Sequence, residues 1–268
     1  MADDLLSLTV DIATRATMEL MKRFRRLPPG AIGSKSHAHD LVTEADLASE
    51  EVIVSALREA FPDHALLAEE SGASGAEGGP RWIIDPLDGT VNFVHGFPFF
   101  AVSIAHYRGP EPEIAVVAAP ALGEIFAARR GGGAWLGGER LSVSSTGRIA
   151  DAFLSTGFAY EREDTPNPNL PNFARLVYRA RAVRRPGCAS LDLAYTATGQ
   201  FDGFWEAHLA PWDVAAGALL VREAGGRVTD FGGGESWLSG ANILATNGHI
   251  HDELASYLEF DPAKEAAK

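Results

Sequence analysis

Apolar residues recur at helical spacing from the start of the chain. Leu5, Leu8, Ile12 and the Met18–Leu20–Met21 group form one stripe over residues 3–26. Lys22, Arg23, Arg25 and Arg26 fall in its last turn, where cations favour the helix dipole. The segment LPPG at 27–30 stops the helix. Residues 31–40, AIGSKSHAHD, read as a polar loop. A second helix is expected from near Thr43 to about Ala60, with Thr43 and Asp46 spaced as a capping pair and FPDH closing it.

From residue 64 the period changes. ALLAEES is a short apolar element that turns acidic, and GASGAEGGP is a loop. RWIID, PFFAVSIAHY and EIAVVAAP read as strands, and EIFAARRGGGAWLGGERLSVS as strands joined by glycine-rich turns. Gly131–Gly133 has no following Gly-Lys-Ser/Thr, so a hairpin turn is predicted there rather than a phosphate loop. After about residue 150 strands and helices alternate. AFLSTGF, FDGFWE and RVTDF are predicted strands; 172–181, LDLAYTATG and WDVAAGALLVREAGG are predicted helices. The Pro/Asn-rich piece 164–171 reads as a surface excursion. The pattern makes residues 1–148 an α+β half and 149–268 an α/β half of a single domain, 1–268.

Composition supports a folded chain: 268 residues, 46% hydrophobic, are ample for a core. The formal net charge of −13 argues against a grip on nucleic-acid phosphates, which need Lys and Arg. It leaves room for a small anionic substrate, because a bound metal ion inverts local charge. The lone cysteine, Cys188, allows no intramolecular disulfide and suits a reducing compartment. The first ten residues carry acids where a secretory signal carries bases. No apolar run approaches the roughly 20 residues of a membrane span. The expectation is a soluble cytoplasmic protein without a membrane partner.

The chemistry lies in the acids. Glu69–Glu70 follow ALLA, Asp85 and Asp88 follow WII, Asp213 follows APW, and Asp46 lies in DLVTEAD. Each stands at the tip of an apolar element. Taken singly, each has a structural alternative: Asp213 as a helix N-cap, Asp88 as a turn residue. Gathered together they repel one another unless a cation sits among them. Oxygen ligands without clustered Cys or His favour Mg²⁺ or a similar hard ion. His37 and His39 form an H-x-H pair with no matching second pair, and read as surface residues. Between the acids, Pro86 restrains the chain, and Gly89–Thr90 open TVNFVHG, a stretch of short helical character. A helix start there points N–H groups of Gly89 and Thr90 at an anion. Metal ligands beside an anion cradle are what metal-assisted transfer of a phosphoryl group to water requires.

These residues resemble a known family, the inositol monophosphatases. WIIDPLDGTVNFVHGFP (82–98) is similar to its first signature and PWDVAAGALLVREAGG (211–226) to its second. DLVTEAD (40–46), AEES (68–71) and RRPGCASLDLAY with FDGFWE resemble further family motifs, the last most closely in its bacterial form. The resemblance covers roughly residues 5–255. It implies an α/β/α/β/α layered sandwich with an antiparallel sheet in the N-terminal α+β half, and a homodimer.

It also implies roles. Glu69, Asp85, Asp88 and the Leu87 carbonyl would hold a first metal, and Asp85, Asp88 and Asp213 a second. A third, weaker ion would lean on Glu69, and Mn²⁺ could replace Mg²⁺. Asp46 and Thr90, with Glu69, would serve catalysis by orienting and deprotonating the attacking water. Gly89 and Thr90 would bind phosphate; Gly187, Ala189, Glu206 and Asp213 would face the substrate; Lys35 would lie on a mobile loop. Ala68 stands where the family has glycine, Cys188 fills a variable slot as a packing residue, and 160–171 aligns poorly. The implied activity is Mg²⁺-dependent, lithium-sensitive hydrolysis of myo-inositol monophosphate. Fructose 1,6-bisphosphate, histidinol phosphate and 3′-phosphoadenosine 5′-phosphate are the alternatives. A regulatory protein-binding role is a further one, with the arginines at 22–26 and 179–185 as its surface features.

Overall fold

The computed structural model describes residues 2–27, 32–34, 41–76, 78–159, 168–238 and 242–261. Helix α1 (Ala2–Arg23) ends three residues earlier than its basic tail suggests. Strand β1 (Ile32–Ser34) pairs antiparallel with β2 (Leu41–Thr43), so part of the expected polar loop is a strand. Lys35, His37 and His39 lie outside the described residues. Helix α2 (Glu44–Ala60) starts on Thr43, whose hydroxyl accepts the Ala45 N–H, while Asp46 accepts the Thr43 N–H at 2.8 Å. This is the reciprocal cap that the spacing predicts.

The first large sheet has eight strands: β3 (Ala65–Ala68), β4 (Gly72–Ser74), β5 (Pro80–Asp88), β6 (Ala101–Arg108), β7 (Glu111–Ala119), β8 (Glu124–Arg129), β9 (Gly133–Leu136) and β10 (Glu139–Arg140). Helix α3 (Thr90–Val94) follows β5. The order across the sheet is β10-β9-β8-β7-β6-β5-β3-β4. Its pairs are antiparallel except β3 with β5, so the sheet is mixed. β5 is buried on both faces from Trp82 to Leu87, which explains its unbroken apolar run.

The second sheet has five strands: β11 (Phe153–Thr156), β12 (Ala182–Arg184), β13 (Gly203–Ala207), β14 (Arg227–Thr229) and β15 (Asn242–Thr246). Its order is β12-β11-β13-β15-β14, with parallel pairs around β11 and antiparallel pairs around β15. The helices are α4 (Leu170–Val177), α5 (Ala189–Ala197), α6 (Pro211–Glu223) and α7 (His251–Ala255). α4 starts and ends earlier than the predicted 172–181. Asn169, expected on a surface excursion, is buried and donates to Thr156 Oγ1 and the Gly157 carbonyl while accepting from Trp205 Nε1.

The layers follow from which faces meet. α1 and α2 cover one face of the large sheet, and α5 and α6 lie between the two sheets. α7 packs on β15 and α4 on β12. The result is the α/β layered sandwich with two mixed sheets. α6 reads almost wholly apolar, VAAGALLV, because both its sides are buried. Gly217 there lets α5 approach, since a Cβ would stand 2.4 Å from Leu193 Cβ.

Candidate active site

The turn after β5 builds the site's floor. On β5 and β6, Asp85 pairs with Ser103 but Asp88 pairs with Ala101, so one extra residue bulges from β5. Pro86 sits in that bulge, where its missing N–H costs the sheet nothing. Asp85 Oδ1 accepts the Leu87 N–H at 2.9 Å, and the Leu87 carbonyl accepts the Thr90 hydroxyl at 3.0 Å. Gly89 then takes φ 88°. Its missing Cβ would lie 3.0 Å from the Phe99 carbonyl oxygen, so only glycine fits.

Two elements from far along the chain complete the cluster. Asp213 is not the helix N-cap; it is the third residue of α6, and its carboxylate reaches back to the Ala210 N–H at 2.6 Å. Glu69 follows β3 and lies within hydrogen-bonding reach of Asp85. Asp88 Oδ2 accepts the Ser190 N–H at 2.7 Å at the start of α5. Asp85, Asp88 and Asp213 present oxygens that all lie within 4.8 Å of one another. Desolvation pushes all three carboxyls above their ordinary range, and their mutual repulsion adds to it for Asp85 and Asp213. Each gives one oxygen to a backbone N–H and keeps other lone pairs. Such a donor set suits a hard divalent cation, and the cluster can bind a metal ion.

Helix α2 clamps this floor through one face. Asp46, Ser49 and Glu50 are spaced i, i+3, i+4 and are all buried. Asp46 Oδ1 accepts the Thr90 hydroxyl at 3.1 Å, and Ser49 donates to the Pro86 carbonyl at 2.8 Å. Glu50 accepts the Glu70 and Ser71 N–H groups at 2.9 and 2.8 Å, fixing the turn that carries Glu69. Ser49 and Glu50 were not predicted site residues; a polar triplet on one face of an otherwise amphipathic helix was their signal.

A cavity of about 240 Å³ opens beside the acids. Its wall includes Glu69, Asp88, Asp213, Gly187, Ala189 and Glu206. Asp46, Asp85, Gly89 and Thr90 are not among its lining residues. Cys188 is buried, its thiol pushed well up by burial and by Asp88, so it stays protonated as a packing residue. Asn92 donates to the Phe99, Pro186 and Gly187 carbonyls at 2.7, 2.9 and 3.2 Å, tying the β5 turn to the substrate-side loop.

Glu206 projects from β13 over Gly157. A Cβ at 157 would lie 2.1 Å from Glu206 Oε2, so the glycine is the space the carboxylate occupies. Burial pushes Glu206 up to about 8. Behind it Asp192 is buried in α5, its carboxyl pushed well above the ordinary range by burial and by the nearby Glu206. One acid inside ASLDLAYTA was the signal for it.

The chain is thus a layered α/β sandwich that gathers carboxylates beside a small polar cavity. The family model described as the inositol monophosphatase family matches residues 1–263. The chain is 49% identical over 244 residues to the Nus factor SuhB of Pseudomonas aeruginosa, covering 88% of this chain and 89% of that one. It is 45% identical over 232 residues to the inositol-1-monophosphatase of Synechocystis, covering 86% and 81%. The crystal structure of the extragenic suppressor protein suhB from Bartonella henselae superposes with a TM-score of 0.90 at 39% identity, covering 96% and 98%. The chain therefore belongs to the inositol monophosphatase family and is an inositol-1-monophosphatase-like phosphomonoesterase.

Proposed function

We propose that this enzyme hydrolyses myo-inositol monophosphate to inositol and phosphate with Mg²⁺ as its cofactor. The observation that carries this reading is a single cavity lined by both Asp88 and Asp213 of the acid cluster and by Glu206. Glu69, Asp85, Asp88 and the Leu87 carbonyl would hold one ion, and Asp85, Asp88 and Asp213 another; a third would lean on Glu69, and Mn²⁺ could substitute. Bound there, the ions would supply neutralisation of phosphate charge and a lowered pKa for a bound water.

The chain's own residues do the rest. The Thr90 hydroxyl stands within donating distance of both Asp46 Oδ1 and the Leu87 carbonyl, at 3.1 and 3.0 Å; in this path its one hydrogen turns to Asp46, which leaves its lone pairs to accept from an attacking water. Asp46 then takes the proton through Thr90. The Gly89 and Thr90 amides hold the phosphate, and Gly187, Ala189 and Glu206 face the alcohol. The Glu206 carboxyl is pushed up by burial, and its oxygens exchange hydrogen bonds with hydroxyls, which favours a polyol over histidinol phosphate.

Side-by-side kcat/KM values on myo-inositol 1-phosphate, fructose 1,6-bisphosphate, histidinol phosphate and 3′-phosphoadenosine 5′-phosphate test the substrate. The first is expected to lead; a higher value on any other would replace it. A cytoplasmic homodimer is the proposed form. Among the described residues no helix is long and apolar enough to cross a membrane.

A second role, binding a protein partner beside catalysis, is favoured by the naming of the Pseudomonas aeruginosa relative as a Nus factor. Exposed Leu170, Val177 and Tyr178 on and after α4 are the surface suited to it. A Tyr178→Ala variant with reduced partner capture and full phosphatase activity would support this role. Unchanged capture would contradict it.

A further inference from the structure

Two segments far apart in sequence meet at the cavity. Asp88 closes β5, and Gly187 and Ala189 flank the start of α5. Three contacts hold these segments together. Asp88 Oδ2 accepts the Ser190 N–H at 2.7 Å. Gly89 packs directly on the loop before α5: a Cβ there would lie 3.3 Å from both the Gly187 carbonyl oxygen and Cys188 Cβ. Asn92 supplies the third. Its Nδ2 donates to the Pro186 and Gly187 carbonyls at 2.9 and 3.2 Å, and to the Phe99 carbonyl at 2.7 Å.

Asn92 is the third residue of α3 and is not among the residues that line the cavity. Its amide has two hydrogens for three carbonyl oxygens, so one hydrogen is shared. The amide has one sensible orientation, because its own oxygen in that place would face three carbonyls. The loop it holds has no other means of reaching α3 by a polar side chain. Pro186 has neither an N–H nor a polar group, and Gly187, at φ 87°, has no side chain. Their carbonyls are what the loop can offer, and a short side-chain donor is what they need. Thr90, which reaches Asp46, lies two residues before Asn92 on the same short helix. One helix therefore ties both to the water-activating pair and to the loop that carries Gly187.

We infer that Asn92 is a positioning residue: acting through the Gly187 loop, it sets where the alcohol part of the substrate lies relative to the phosphate. The inference rests on the reading of this cavity given above, with phosphate at the β5 turn and the alcohol facing Gly187 and Ala189. In-line attack depends on that relative placement, and a displacement of about 1 Å costs roughly 10²-fold in rate. Without the donor, the Pro186 and Gly187 carbonyls lose their tie to α3 and the loop shifts. The phosphate side keeps its own bonds, those of Asp85 with Leu87 and of Thr90 with Asp46.

The test compares wild type with Asn92→Ala and Asn92→Asp. Each is assayed on myo-inositol 1-phosphate and on p-nitrophenyl phosphate, which has no further hydroxyl, and for inhibition by inorganic phosphate. Both variants are expected to lose about 10-fold to 100-fold in kcat/KM on the inositol ester. Activity on p-nitrophenyl phosphate and the inhibition constant of phosphate should stay near wild type. Aspartate keeps the shape of asparagine but turns an acceptor toward three carbonyls, so Asn92→Asp should be the worse of the two. Should it not fold, Asn92→Gln carries the test: it keeps the amide on a longer stem, and the same split is expected at a smaller size. An equal loss on both esters, or phosphate inhibition weakened in parallel, would make Asn92 a structural support of the β5 turn and overturn the inference. So would Asn92→Asp performing better than Asn92→Ala, or all variants matching wild type. Wild-type enzyme that cleaves p-nitrophenyl phosphate but no inositol ester overturns the proposed substrate, and with it this role in placing it.

Discussion

The Thr90 hydroxyl donates to Asp46 Oδ1 at 3.1 Å, joining the first turn of α3 to the first turn of α2 across 44 positions of sequence. Asp46 Oδ2 is already occupied by the Thr43 N–H and hydroxyl, at 2.8 and 2.6 Å. The carboxylate is thus oriented by the cap of its own helix while its other oxygen accepts from Thr90. A helix cap and a proposed proton path share one side chain.

Thr90→Val removes that link and keeps the shape. It is expected to lower kcat by about 10²–10⁴, the range for losing a positioned proton-transfer group. KM should change little, and the far-UV CD spectrum should be unchanged. Thr90→Ser should restore most of the rate. A valine variant with normal kcat would remove Thr90 and Asp46 from the water-activating role.

Glu50 has no place on the cavity wall, yet its carboxylate holds the two N–H groups that follow Glu69. Glu50→Ala leaves both donors short of partners. The expected cost is about 1–3 kcal/mol, read as a lower Tm. The Mg²⁺ concentration for half-maximal activity should rise as Glu69 loosens. An unchanged Mg²⁺ titration would make Glu50 purely structural.

Gly157→Ala puts a methyl group into the volume of the Glu206 carboxylate. The glutamate must leave, and the predicted result is a higher KM for the inositol ester with an unchanged Mg²⁺ requirement. Should KM stay the same, Glu206 does not contact the alcohol.

Acid stability depends in part on His251. Its Nε2 faces Thr229 Oγ1 and its Nδ1 faces Thr246 Oγ1, both at 2.9 Å. Thr229 already donates to the Asp230 carbonyl, so Nε2–H donates to Thr229 and Nδ1 accepts from Thr246. That arrangement needs a neutral ring, and burial pushes the imidazole down to about 4 from 6.5. The unfolded chain therefore binds more protons between these values. The contribution to stability is full above about pH 6.5 and is lost as pH falls toward 4. His251→Gln should flatten the fall of Tm across that window. An equally steep fall in the variant would assign the acid sensitivity to other groups.

Much of this architecture was legible in the chain. The apolar periods marked the helices and strands, and acids at the tips of apolar elements marked the cluster of Asp85, Asp88 and Asp213. What was hidden has a physical reason in each case. The hairpin partner of β2 read as a loop because three residues, IGS, carry no period. The parallel pairing of β3 with β5 joins segments through a loop and a short antiparallel strand, which no local pattern reports. Glu50 shares a helix face with Asp46 and Ser49, but only the fold brings the 69–71 turn against it. Asp213 read equally as a cap or a ligand, and its carboxylate does cap backward while joining the cluster.

Asp85, Asp88 and Asp213 are proposed to hold the Mg²⁺ on which phosphate release depends. The direct measurement is a Mg²⁺ titration of phosphate release from myo-inositol 1-phosphate, run on wild type, Asp88→Asn and Asp213→Asn. Calorimetric Mg²⁺ binding to each should accompany it. Asp88→Asn is expected to fold, bind Mg²⁺ weakly and release almost no phosphate, and Asp213→Asn to need far more Mg²⁺ for any rate. Near-normal turnover by Asp88→Asn at the wild-type Mg²⁺ requirement would contradict it.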